Sequence, residues 1–172
     1  MSQLAVTVIG HDRPGIIAEA TAALAALGGN LEDSTMTILR GHFAMVLLVS
    51  TAASGGEVER ALAPLEGDGS LLVTVREVPA EPEATGQGAP YLLSVHGGDR
   101  PGIVSAVTGV VAAAGGNITD LSTRLSGELY VLLAEVDLPG SAVVDSLLGR
   151  LAEVAGELGV EASLRPLDSD LM

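Results

Sequence analysis

The first 78 residues change their apolar and polar period in a regular order. "LAVTVIG" (4–10) is a β-branched run suited to a buried strand. "PGIIAEATAALAALGG" (14–29) places apolar residues at helical spacing, with proline at its start and glycine at its end, and predicts a helix. "NLEDSTMTILRGHFAMVLLVST" (30–51) holds two strand-like runs around a tight turn near Arg40-Gly41 and predicts a hairpin. A second helix, "SGGEVERALAPLEG" (54–67), interrupted by Pro64, and a last strand, "SLLVTVREV" (70–78), complete the series. The same order returns as "YLLSVHG", "PGIVSAVTGVVAAAGG", "NITDLSTRLSGELYVLLAEVD", "GSAVVDSLLGRLAEVAGELG" and "VEASLRP". Each half therefore reads as βαββαβ, the ferredoxin-like α+β unit, with an antiparallel sheet and both helices on one face. Such a sheet has exposed edge strands, so pairing between halves or between chains is expected.

A shift of 87 residues makes the repeat explicit. It lays Asp12-Arg13-Pro14-Gly15-Ile16 on Asp99-Arg100-Pro101-Gly102-Ile103, and Gly28-Gly29-Asn30 on Gly115-Gly116-Asn117, without a gap. A period this long is too great for a solenoid unit and suits two copies of one small domain. We expect a first domain at 1–78, a Pro/Gly/Glu-rich linker at 79–89, a second domain at 90–167 and a short tail at 168–172.

Composition narrows the function. The formal charge is −14 over 172 residues, and all eight basic residues are scattered arginines. That field repels a phosphate backbone, so direct nucleic-acid binding is not expected. There is no cysteine, hence no disulfide framework, thiolate nucleophile or Cys-ligated zinc. The N-terminus has no basic segment followed by a signal-length apolar run, and "HFAMVLLVS" is too short to span a bilayer. A cytoplasmic protein is expected, without membrane contact.

The chemistry gathers in the repeated loop. Pro14 and Pro101 fit a first helical position. Gly15 and Gly102, placed in the first turn, are poor helix formers, and a close approach to the backbone would justify them. Free N–H groups at the helix starts favour an anion such as a small carboxylate, and Asp12 and Asp99 could accept from an ammonium group. Together they describe a seat for a free α-amino acid. A plainer alternative stands beside it: Asp12 and Asp99 accept the first-turn N–H groups, and the glycines relieve crowding. Asn30 and Asn117, after Gly-Gly, also suit ordinary turn chemistry.

The βαββαβ order, the Asp-Arg-Pro-Gly loop after the first strand and the Gly-Gly-Asn at the second strand together resemble the ACT domain, twice over. The resemblance covers nearly the whole chain apart from the linker and the last residues, and it extends to tandem proteins of the glycine cleavage system transcriptional repressor family. It implies a regulatory, non-catalytic module that binds an amino acid between two copies of the fold and acts on a partner protein, such as a transcriptional regulator. Carried over, the ligand loops are Gly10, His11, Asp12, Pro14, Gly15 and Ile16, and Gly97, Gly98, Asp99, Pro101, Gly102 and Ile103, with Asn30 and Asn117 from the second strands. The expected pairing joins loop 10–16 to Asn117 and loop 97–103 to Asn30. Asp in place of the family's usual Asn in the loop, and His11 opposite Gly98, set this chain apart.

No nucleophile, acid/base pair, phosphate loop or dinucleotide fingerprint is legible, so neither catalysis nor a cofactor is expected. His11 adjoins Asp12 but is otherwise isolated, and no metal site is expected. The ligand is expected to be a small amino acid, glycine or serine, and the assembly a homodimer. The competing function is a ligand-independent interaction module built from the same paired domains.

Overall fold

The computed structural model describes residues 2–79 and 88–167. The chain divides into two units, Met1–Glu83 and Ala84–Met172. Positions 80–87 of the expected linker and the expected tail at 168–172 lie outside the described residues.

In the first unit, strand alternation decides which face is buried. Leu4, Val6 and Val8 of β1 (Ser2–His11) are buried, and so are Phe43, Met45, Leu47 and Val49 of β3 (His42–Thr51). The register brings these sets opposite one another, with Val8 facing Met45, Val6 facing Leu47 and Leu4 facing Val49. β4 (Leu71–Val78) pairs with the other side of β1, and β2 (Asn30–Leu39) lies outside β3, so the antiparallel order is β2-β3-β1-β4. Two helices close the buried face. α1 (Ile16–Ala26) contributes Ile16, Ala20 and Leu24, and α2 (Gly55–Leu62) contributes Val58 and Leu62.

α2 ends earlier than its sequence pattern predicts. Pro64 cannot continue the helical ladder, and residues Ala63–Glu66 form a 3-10 turn that still buries Leu65.

The second unit repeats this plan with β5 (Gly88–Gly98), α3 (Ile103–Ala113), β6 (Asn117–Ser126), β7 (Leu129–Pro139), α4 (Val144–Leu158) and β8 (Val160–Pro166). Its sheet order, β6-β7-β5-β8, is that of the first unit. The predicted α+β ferredoxin-like unit is present twice.

Thr51 is the buried polar residue of the first core. Its hydroxyl donates to the Leu27 carbonyl at 3.2 Å and accepts the Ala53 N–H at 3.1 Å, tying the end of α1 to the approach to α2. The 87-residue shift sets Leu138, also buried, at this place in the second unit.

Candidate functional site

The loop begins where β1 runs out against β4. A Cβ on Gly10 would stand 2.1 Å from the Ser70 carbonyl oxygen, and the His11 N–H donates to that same oxygen at 2.9 Å. Only a residue without a side chain lets the two backbones come this close. Gly97 is confined in the same way, with Val160 atoms within 3.0 Å of a built Cβ. His11 faces His42 across the β1–β3 ladder, and both are exposed. The chain then leaves the strand at Asp12, whose N–H donates to the Gly41 carbonyl at 3.1 Å; Asp99 does the same to Glu128 at 3.3 Å.

The helix starts differ from expectation. α1 begins at Ile16, so Pro14 is not its first residue and Gly15 is not inside its first turn. Gly15 is the N-cap, in the left-handed region at φ 92° and ψ −6°, and Gly102 repeats this at φ 93° and ψ −4°. These angles match the third position of a type II turn, in which proline commonly precedes the glycine. The glycine is therefore required by its own backbone conformation.

Neither helix has a side-chain hydrogen bond at its N-cap. The first helical bonds are Glu19 N–H to Gly15 C=O at 2.9 Å and Ala106 N–H to Gly102 C=O at 3.0 Å, so the preceding N–H groups have no intrahelical partner. The exposed carboxylates of Asp12 and Asp99 stand one turn upstream without capping them.

The two loops differ in charge. In the first, the Arg13 guanidinium makes two contacts with the Glu19 carboxylate, at 2.9 and 3.0 Å. Hydrogen bonding from Arg13 holds the Glu19 carboxyl below its ordinary range. In the second, the position aligned with Glu19 is Ala106, and Arg100 lies instead beside Gly159, with its guanidinium 3.5 Å from where a Cβ would stand.

Beside the first loop lies an open hollow of about 390 Å³, bordered by Asp12, Arg13 and Gly15. Its floor is Ile17, Met36, Ile38 and the buried Phe43. Met36 and Ile38 belong to the side of β2 that faces the helices, opposite Met45 and Phe43. They stay exposed because α1 and α2 pack on the inner strands and leave this edge uncovered.

Asn30 is not part of this hollow. It pairs with Ser50, whereas His11 pairs with His42 at the other end of β3. Eight residues of strand separate the two ends, about 26 Å. Asn117, opposite Asp137, stands equally far along β7 from Gly98, opposite Leu129. Each unit thus brings its Asp-Arg-Pro-Gly loop together with the helix start but leaves its own asparagine at the opposite sheet end. Glu19, Met36 and Ile38 were missed as site residues: Arg13 lies outside the helix, so no helical spacing links it to Glu19.

A profile of the ACT domain matches residues 2–75 and 90–165. The chain belongs to the ACT-domain family. It is a tandem ACT protein, and its relatives include both tandem and shorter proteins. It is 29% identical over 122 residues to the glycine cleavage system transcriptional repressor of Escherichia coli, a match spanning 70% of this chain and 64% of the repressor's length. It is 42% identical over 72 residues to UPF0237 protein MK1213 of Methanopyrus kandleri, covering 42% of this chain and 80% of that one. Among solved structures, an unknown protein from Galdieria sulphuraria aligns over 96% of this ACT protein and 98% of its own length, at 32% identity and a TM-score of 0.80. Among the described residues, no helix is long and apolar enough to cross a membrane, and no group of three or more His, Cys, Asp or Glu could hold a metal ion.

Proposed function

We propose that this protein is a non-catalytic regulatory sensor that binds a free α-amino acid at its two β1–α1-type loops and thereby modulates a partner protein. The observation that carries the reading is the pairing, in both units, of helix N–H groups that lack an intrahelical partner with a carboxylate that does not cap them. The N–H groups suit the ligand's carboxylate and Asp12 or Asp99 its ammonium group. Membership of the ACT-domain family and likeness to a transcriptional repressor support a regulatory role and point to a transcriptional regulator as partner.

Within one unit, the loop aspartate and the strand asparagine are too far apart to touch one small ligand. A ligand that meets both draws on two copies of the fold, so loop 10–16 works with Asn117 and loop 97–103 with Asn30. On the small residues of the loops alone, before their surroundings are weighed, glycine and serine are the first candidates. The protein works in the cytoplasm as a homodimer, and the ligand acts by binding two arrangements of the protein with different affinity.

A thermal-shift screen of the full chain against the twenty amino acids, with calorimetric stoichiometry for each hit, tests this. A ligand that binds only the folded state raises its stability by RT ln(1 + [L]/Kd). The expected result is a specific shift that Asp12→Ala with Asp99→Ala removes. No shift with any amino acid overturns the reading in favour of a ligand-independent docking module.

A further inference from the structure

The two units share a backbone plan but do not offer a ligand the same surroundings. In the first, the hollow beside the loop measures about 390 Å³, within the span of about 300–1,000 Å³ usual for small-molecule sites. Its floor is made of aliphatic and aromatic side chains. Three of them remain substantially exposed: Ile17 at 44%, Met36 at 40% and Ile38 at 47%. Glycine would leave this floor facing water, and serine would set a hydroxyl against side chains that offer it no partner. The nearest cation, Arg13, is already held by both oxygens of Glu19, so nothing in the hollow invites an acidic side chain.

The second unit keeps aliphatic residues at two of these floor positions and brings hydroxyl groups to others. The positions aligned with Ile17, Met36, Ile38 and Phe43 are Val104, Thr123, Leu125 and Tyr130, and Ala18 becomes Ser105. Register keeps them in equivalent places, Thr123 opposite Leu132 and Leu125 opposite Tyr130. Three hydroxyl-bearing side chains thus stand where the first unit has none.

We propose that the hollow of the first unit selects an α-amino acid with an aliphatic side chain, of the leucine, isoleucine, valine or methionine class, and that the second unit does not share this preference. This rests on the amino-acid-sensor reading and specifies the ligand at one of its two loops. Apolar contact between ligand and floor supplies the selectivity, because it removes from water surface that both leave exposed when apart.

The test is calorimetric titration of the full chain with glycine, serine, leucine and methionine, repeated on the double variant Met36→Thr, Ile38→Ser and on Ile17→Thr. All three positions are exposed, and circular dichroism melting checks that each variant is folded. Leucine or methionine should bind the unmodified protein at least about tenfold more tightly than glycine at one site, and the substitutions should erase that advantage while leaving any glycine affinity nearly unchanged. Aliphatic amino acids binding no better than glycine would overturn this inference and leave the sensor reading standing. Aliphatic binding that survives both sets of changes but is lost in Thr123→Ala, Leu125→Ala would assign the preference to the wrong unit and also overturn it. No binding of any of the four, with none in the wider screen, would remove both readings together.

Discussion

Asp12 and Asn30 stand at opposite ends of the first sheet, because the His11–His42 pair closes one end of the β1–β3 ladder while Asn30 sits across from Ser50 at the far end of β3. Their combined substitution is therefore informative. If each ligand draws on two copies of the fold as proposed, Asp12→Ala with Asn117→Ala damages one site and leaves one ligand bound per chain, whereas Asp12→Ala with Asn30→Ala damages both. Calorimetric stoichiometry separates the outcomes. Equal loss in the two double variants would refute the pairing.

The Pro-Gly turn has a cost that substitution will reveal. A non-glycine residue in the left-handed region costs roughly 1–2 kcal/mol. Gly15→Ala and Gly102→Ala should each lose about that much stability in urea denaturation, and Gly15→Asn less, since asparagine visits this region more readily. A neutral Gly15→Ala would show that the turn relaxes to another shape.

Gly10 is a harder constraint. A methyl group there would meet the Ser70 carbonyl and the Leu71 Cα at separations that real contacts do not reach. β1 and β4 would have to part, and Gly10→Ala is expected to unfold the first unit or lower its melting temperature far more than Gly15→Ala does. Melting followed by circular dichroism distinguishes the two.

Much of the fold was legible because strand alternation and helical spacing are local signals. Leu4, Val6 and Val8 announce a buried face, and the 87-residue repeat announces that it occurs twice. The helix starts were misplaced because Pro14-Gly15 satisfies two grammars at once: proline opens helices, and Pro-Gly makes a type II turn. The floor of the first hollow was not legible. Alternation in β2 indicates that Met36 and Ile38 share a face, but not that the helices stop short of covering it. The distance between Asp12 and Asn30 is equally hidden, since it follows from register along β3 and not from sequence separation.

Acid should weaken the first unit through the start of α2. The Glu57 carboxylate accepts from both the backbone N–H and the hydroxyl of Ser54, each at 2.8 Å, and these bonds hold its pKa below the ordinary 4.5. A depressed folded-state value contributes stability that is present above 4.5 and is lost as pH falls through the folded value. Glu57→Gln keeps a capping side chain but removes the titration, so it should be less stable than the parent at pH 7, and the gap should narrow as pH falls below 4.5. Ser54→Ala should lose about 1 kcal/mol at neutral pH. Urea melts across this range check both.

The Thr51 hydroxyl, bonded to Leu27 on one side and Ala53 on the other, has no aligned counterpart in the second unit. Hydrogen bonds fix direction as well as distance, whereas the buried apolar side chain of Leu138 at the aligned place can make none. Two halves of like architecture thus close the same helix-to-helix junction by different means, one through a side chain that bonds to both flanks and the other through the packing of an apolar one.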